Sequence, residues 1–346
     1  MKKKIIYICF ILTIVIGYLI YNFLLNSKEK NSSFPKIVVN TSNGYTNPLQ
    51  IKEMRNKSYP GSDITIEKTL EDGSNFHQYI VSYKSEGNKI FALLTVPIGQ
   101  KPKDGWPVII FNHGYINPSQ YQTFPLVGQY ASYYPPLSRD GYIVLKPDYR
   151  GNGVSQGQPE GAYYSPAYAT DVLNALSSIK KFKDVNPDKI GMWGHSMGGN
   201  ITLRDIVVNT KDIKVAVIWG GVVGSYLDLQ NWHDPNYHPS AYELSLRNRY
   251  RSSLQQKYGT PKINPDFWNS VDPTFFLKDI ITPLQLHVGG SDEEVPPIFS
   301  ENLYNKLKSL NKTVELYSYP DDNHNISNNF STAMQRTLNF FDKYLK

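Results

Sequence analysis

Residues 189–200 read KIGMWGHSMGGN. The first part, KIGMWGH (189–195), is a short apolar run of the kind that a parallel sheet buries on both faces. The residues from Met197 onward have helical character, and Gly194-His195-Ser196-Met197-Gly198 between them fits G-x-S-x-G. A serine on so sharp a strand-to-helix turn projects its hydroxyl outward, and glycines on either side relieve the crowding of the turn. The helix start aims free N–H groups and a positive dipole end at developing negative charge.

Further runs of the same kind lie on both sides, VIIFNHG (108–114), YIVLKPDY (142–149), VAVIWGG (215–221) and PLQLHVGG (283–290), and VELYSYP (314–320) adds another strand. Helical segments alternate with them at 167–181, 197–208, 298–310 and from about 331, where Met334, Leu338, Phe341 and Leu345 recur at helical spacing. Upstream, ITIEKTL, HQYIVSYK and KIFALLTVPI read as antiparallel strands, with Gly87 in the turn before the last. The pattern predicts an α/β fold, a mostly parallel twisted sheet with helices on both faces and ligands bound beyond the carboxyl ends of its strands. One segment, 222–272, is too long for a strand-to-helix connection and reads as an insertion. Within it Ser240 and Glu243 have capping-box spacing and Gly259 is a stop, so a helix is expected over 241–258. Its Trp232, Tyr237, Tyr242, Tyr250, Phe267 and Trp268 suit either a lid over the strand ends or glue to the body.

Composition excludes several functions. The formal charge of +6 includes Lys2, Lys3 and Lys4, and without them 33 basic side chains face 30 acidic ones, with no basic stripe for nucleic acid. Cys9 is the single cysteine, which removes internal disulfides, cysteine-based zinc sites and thiol nucleophiles. His233, Asp234 and His238 lack a recognised ligand spacing, so no metal is expected. After MKKK, the apolar stretch from Ile5 to Leu25 is long enough to span a bilayer and ends without a small-residue cleavage site. The expected organisation is an uncleaved signal anchor (1–27), a polar tether (28–60) with one short strand at 36–39, and the sheet domain (61–346) outside the cytoplasm. Cleavage and secretion is the alternative.

A serine hydroxyl needs a base, and in this type of sheet the order is serine, then an acid, then histidine. HVGGSDEEVPP places Asp292 at the carboxyl end of a strand, with Glu293 and Glu294 as competitors, and YPDDNHN places His324 after the next strand. His195 is adjacent to Ser196 in sequence, but neighbouring side chains on a sharp turn diverge, so its expected role is local packing. The oxyanion donors expected are the N–H of Met197 and the N–H of Tyr115, with Gly114 letting the backbone turn in NHGY (112–115). Asp148 and Arg150 are expected to pair or brace a rim loop, His113 to brace its turn, and Asp321 and Asp322 to be solvated.

GHSMGG, HVGGSDEEVP, YPDDNH, NHGY and DYRGNG (148–153) together resemble the α/β-hydrolase fold and specifically the catalytic domain of the prolyl oligopeptidase family, over roughly residues 80–346. The resemblance implies Ser196 as nucleophile, Asp292 as the acid and His324 as the base, and selects Asp292 over its glutamate neighbours. Full oligopeptidases of the family carry a β-propeller, for which the roughly 50 residues before the first strands offer no room. The family's H-G-G is here His113-Gly114-Tyr115. The function expected is a serine hydrolase with no cofactor, acting through an acyl-enzyme on a carboxylic ester or a small acyl amide or peptide. The alternatives are a peptidase of the prolyl oligopeptidase type and a non-catalytic surface binding protein.

Overall fold

The structure, a computed structural model, describes residues 46–232 and 241–346, apart from the side chains of 241–244, 246 and 247. It begins with a helix, α1 (Ile51–Asn56), and then three antiparallel strands, β1 (Thr65–Thr69), β2 (Phe76–Ser85) and β3 (Asn88–Pro97). Glu86 and Gly87, at φ 48° and 82°, join β2 to β3 where Ser85 pairs with Asn88. Both central residues at positive φ suit the right-handed twist of a two-residue hairpin.

The parallel part follows: β4 (Trp106–Asn112), α2 (Tyr134–Arg139), β5 (Ile143–Pro147), α3 (Ala167–Ile179), β6 (Val185–His195), α4 (Met197–Val208) and β7 (Ile213–Trp219). The insertion carries α5 (Tyr226–Asn231), α6 (Ala241–Tyr258) and α7 (Pro265–Val271), after which β8 (Leu284–Gly289), α8 (Ile298–Ser309), β9 (Val314–Tyr319) and α9 (Phe330–Leu345) complete the chain. All nine strands among the described residues form one sheet, in the order β1-β2-β3-β5-β4-β6-β7-β8-β9. From β5 onward every pairing is parallel.

The continuous apolar runs divide by residue parity. Val108, Ile110, Met192, Ala216 and Ile218 enter one core with α3 and α4, whereas Ile109, Phe111, Trp193, Val217 and Trp219 enter a second core with Met334, Phe340 and Phe341 of α9. Helices cover both faces, so the central strands β4, β5, β7 and β8 bury both of their side-chain rows almost throughout, as expected, whereas β1 is exposed along its length.

Residues 46–60 differ from the expected tether. Leu49, Ile51 and Met54 are buried, because α1 packs on α4. The buried Arg204 of α4 also donates from Nη1 to the carbonyls of Leu49 (3.3 Å) and Val271 (3.1 Å), and from Nη2 to Tyr226 Oη (3.0 Å), tying α4 to this segment and to the insertion. Gly259, at φ 77°, ends α6 as expected. Among the described residues no helix is long and apolar enough to cross a membrane, and the anchor expected over Ile5–Leu25, the strand at 36–39, Ser240, and the loop with His233, Asp234 and His238 lie outside them.

Candidate active site

Ser196 stands between the last residue of β6 and the first of α4 at φ 54°, ψ −120°. A non-glycine residue there stores about 1–3 kcal/mol of backbone strain, which the surroundings must hold. Ser196 N–H donates to Trp219 O at 3.0 Å, and its carbonyl accepts from Gly199 and Val222, so both ends of the turn are pinned. At Gly198 a Cβ would lie 1.9 Å from Asn112 O, so no side chain fits where the elbow meets the end of β4. Met197 opens α4, and its N–H has no acceptor within the helix.

The loop after β4 brings Gly114 against the elbow. A Cβ on Gly114 would sit 3.1 Å from Ser196 Cβ and 2.4 Å from Tyr130 Oη. Gly114 is not among the positive-φ residues; close approach, not turning, requires glycine here. Its N–H donates to Tyr130 Oη at 2.8 Å. Tyr115, the next residue, shares a cavity of about 590 Å³ with Ser196, Met197 and His324.

Asp292 lies just past β8 with its side chain fully buried. Its Oδ1 accepts N–H bonds from Glu294 (2.9 Å) and Val295 (2.8 Å), and its Oδ2 stands 2.8 Å from His324 Nδ1. Both carboxylate oxygens are thereby fixed. His324 Nε2 is buried and has no hydrogen-bond partner among the described residues. Glu294, the competing acid, approaches that same nitrogen at 3.8 Å from an exposed position, and does not reach Nδ1.

His195 is committed elsewhere. Its Nδ1 is 2.7 Å from Tyr130 Oη and its Nε2 is 3.1 Å from the carbonyl oxygen of His324. A carbonyl only accepts, so Nε2 carries the proton, and Nδ1 accepts from the Tyr130 hydroxyl. Burial, with the neighbouring His324 adding to it, holds the His195 imidazole well below its ordinary range and so neutral. The result is a chain from Gly114 N–H through Tyr130 and His195 to the backbone of the His324 loop. The expected role in local packing is thus too modest: His195 braces the loop that carries His324.

Other expectations need correction. Asp148 and Arg150 do not pair with each other. Asp148 accepts from Thr123, and burial pushes its carboxyl up to about 6, while Arg150 Nη2 meets Asp171 Oδ1 at 2.7 Å and Glu86 Oε2 at 2.7 Å. Asp322 is buried rather than solvated and accepts from the N–H groups of Asn323, Asn328 and Asn329. Burial alone would raise its pKa, but the Asn329 side chain and these amides outweigh it and hold the carboxyl below its usual range. His113 braces its turn as expected, with Nδ1 2.7 Å from Gly114 O and its ring stacked on Tyr121 and Tyr149.

The described aromatic side chains of the insertion divide between the two roles open to them, Tyr237 and the side chain of Tyr242 lying outside the described residues. Phe267 and Trp268 pack with Leu49, Tyr226 and Tyr258 as glue, whereas Trp232 and Tyr250 line the cavity. Sequence reasoning missed Tyr130 and Tyr133, and the lining residues Glu160, Tyr163, Tyr164 and Tyr168. The available signal was aromatic density: QYASYYPP (129–136) and PEGAYYSPAY (159–168) are too rich in tyrosine for bare connections. Tyr130 further holds a φ of 71°, a strained value for a bulky residue.

This sheet, with its elbow serine, buried acid and open histidine nitrogen at one rim, defines the class: an α/β-hydrolase fold. The family model of the prolyl oligopeptidase family (Peptidase_S9) matches residues 129–346, and the chain belongs to that family. The chain is a serine hydrolase. It is 26% identical over 249 residues to the uncharacterized peptidase YtmA of Bacillus subtilis, covering 71% of this chain and 85% of that one. Against a probable dipeptidyl-aminopeptidase B of Aspergillus terreus it is 25% identical over 286 residues, covering 77% of this chain but only 28% of the relative. Among solved structures, an acetyl xylan esterase from Paenibacillus sp. R4 superposes with a TM-score of 0.62 at 19% identity, covering 85% of this chain and 92% of that one. The Pyrococcus horikoshii acylaminoacyl peptidase superposes with a TM-score of 0.60 at 20% identity, covering 79% and 42%.

Proposed function

We propose that Ser196, His324 and Asp292 act as a triad that hydrolyses a carboxylic ester or a small acyl amide or peptide bond through an acyl-enzyme. The observation that carries this reading is His324, held by Asp292 at 2.8 Å on Nδ1 while the buried Nε2 stays unpartnered and the residue shares a cavity with the elbow serine. His324 Nε2 takes the proton of Ser196 Oγ as Oγ bonds to the carbonyl carbon. Asp292 keeps the imidazole in the Nδ1–H form and stabilises its cation. The N–H groups of Met197 and Tyr115 receive the oxyanion. His324 then gives its proton to the leaving alcohol or amine, and water repeats the sequence on the acyl-enzyme.

Ester substrates are preferred, since the structurally similar proteins include an acetyl xylan esterase. The family match favours a second reading, a peptidase. Labelling by a fluorophosphonate probe in the wild type and its loss in Ser196→Ala are the expected results. A wild type that stays unlabelled beside a reacting control hydrolase contradicts the proposal. Relative kcat/KM on short-acyl nitrophenyl esters and aminoacyl nitroanilides separates the two readings, and faster anilide turnover reverses the preference.

A further inference from the structure

The charge of the cavity is one-sided. Among its described lining residues the only carboxylate side chains are Glu160 and Glu294, and neither lysine nor arginine joins them. Glu294 stands next to the reacting centre, with one oxygen 3.8 Å from His324 Nε2 and its backbone N–H pinned to Asp292 Oδ1 at 2.9 Å. Its side chain is 61% exposed, so an ion can reach it. Glu160 accepts a hydrogen bond from Ser165 at 2.6 Å, and its other oxygen lies 3.9 Å from Arg150 Nη1, beyond hydrogen-bond reach. Arg150 is already held by the carboxylates of Asp171 and Glu86. Arg249, 5.9 Å from the Tyr250 ring, is not one of the lining residues. Glu160 thus has Arg150 as an ion-pair partner, whereas no lysine or arginine joins Glu294 among the described lining residues.

The wall between the two carboxylates is aromatic, built from Tyr130, Tyr133, Tyr163, Tyr164, Tyr250 and Trp232. Ring faces attract cations, most strongly when substrate expels water. His324 Nε2, on a residue only 5% exposed, shares this cavity and lacks a partner, so the reacting carbonyl must lie at the Glu294 end.

From this geometry we infer that the substrate carries an organic ammonium group close to its scissile carbonyl, bound by Glu294 against the tyrosine and tryptophan wall. The inference rests on the serine-hydrolase reading above. A cation in contact with Glu294, itself 3.8 Å from the nitrogen that serves Ser196, lies within about two or three bonds of that carbonyl. An anionic substrate meets Glu294 with no lysine or arginine among the described lining residues, and a neutral one leaves Glu294 unused.

The test uses the full chain and two pairs of substrates that differ in charge and little in shape. Leucine p-nitroanilide against 4-methylpentanoyl p-nitroanilide, which lacks the amine, places the cation on the acyl side; acetylthiocholine against 3,3-dimethylbutyl thioacetate places it on the leaving group. In at least one pair kcat/KM for the cationic member is expected to exceed that for the neutral one by about tenfold, equivalent to about 1.4 kcal/mol. Glu294→Gln should bring that ratio below about three, with the change mainly in KM. The pair that responds tells which side of the bond bears the ammonium. Equal or faster turnover of the neutral member in both pairs overturns the inference while leaving the hydrolase reading intact. So does an equal loss for both members in Glu294→Gln, which marks Glu294 as a modulator of His324. If the protein also fails to label with fluorophosphonate, the hydrolase reading itself fails and the inference falls with it.

Discussion

His195 and His324 lie 129 positions apart in sequence and bring their rings within 4.5 Å between centroids, yet the two regions they belong to use the imidazole in opposite ways. At the elbow both ring nitrogens of His195 are spent, one on Tyr130 and one on a backbone carbonyl. On the loop after β9 only Nδ1 of His324 is spent, on Asp292, and Nε2 remains open. In the proposed triad, closeness to the serine in sequence does not select the base. The distribution of hydrogen bonds does, because a base needs one orienting contact and one free lone pair, whereas a brace needs both nitrogens engaged.

The largest effect that sharpens this contrast is expected at Asp292. Asp292→Asn removes the acceptor that fixes the His324 tautomer and should lower kcat by about 10⁴-fold, measured on a nitrophenyl ester, with little change in melting temperature. A loss of less than tenfold would mean that another acid, Glu294 first, orients the imidazole.

Tyr130→Phe acts on the other histidine. It leaves Gly114 N–H and His195 Nδ1 without their partner and should cost about 1–3 kcal/mol of stability, read in denaturant unfolding. The loop beside Ser196 should loosen with it, lowering kcat by about tenfold while fluorophosphonate labelling persists. Unchanged unfolding would show that the hydroxyl is not shared as the distances indicate.

The smallest effect is a pH dependence. The folded pKa of His195 lies well below that of the unfolded chain because burial disfavours the cation. Its contribution to stability is thus present above about pH 6.5 and is lost as pH falls below that value, by up to about 1.4 kcal/mol per pH unit. The stability gap between wild type and His195→Asn should narrow from pH 7.5 to pH 5. A gap that widens would mean that His195 is held as a cation.

Much of this architecture was legible in the sequence. Strands β4 to β8 are read from continuous apolar runs, because helices bury both faces, and the serine is read from a motif whose strand and helix neighbours give it mechanical meaning. The loops at the carboxyl ends of consecutive parallel strands point to His324 and to Asp292 beside Glu293 and Glu294, and the family resemblance selects Asp292 among these acids. The helix over 241–258 was legible from its glycine stop. What escaped depends on contacts distant in sequence. The buried Asp322 looks like any turn aspartate until Asn328 and Asn329 fold back onto it. Leu49, Ile51 and Met54 look like spacing residues until α4 and the insertion cover them. Tyr130 sits in a connection without periodicity, and its partners Gly114 and His195 lie 16 and 65 positions away.

The most direct test places His195→Asn and His324→Ala side by side on one ester substrate, with folding checked by unfolding curves. His195→Asn is expected to keep at least about a tenth of the wild-type kcat/KM, and His324→Ala to fall below about a thousandth. If instead His195→Asn abolishes hydrolysis and His324→Ala retains it, the base has been assigned to the wrong histidine.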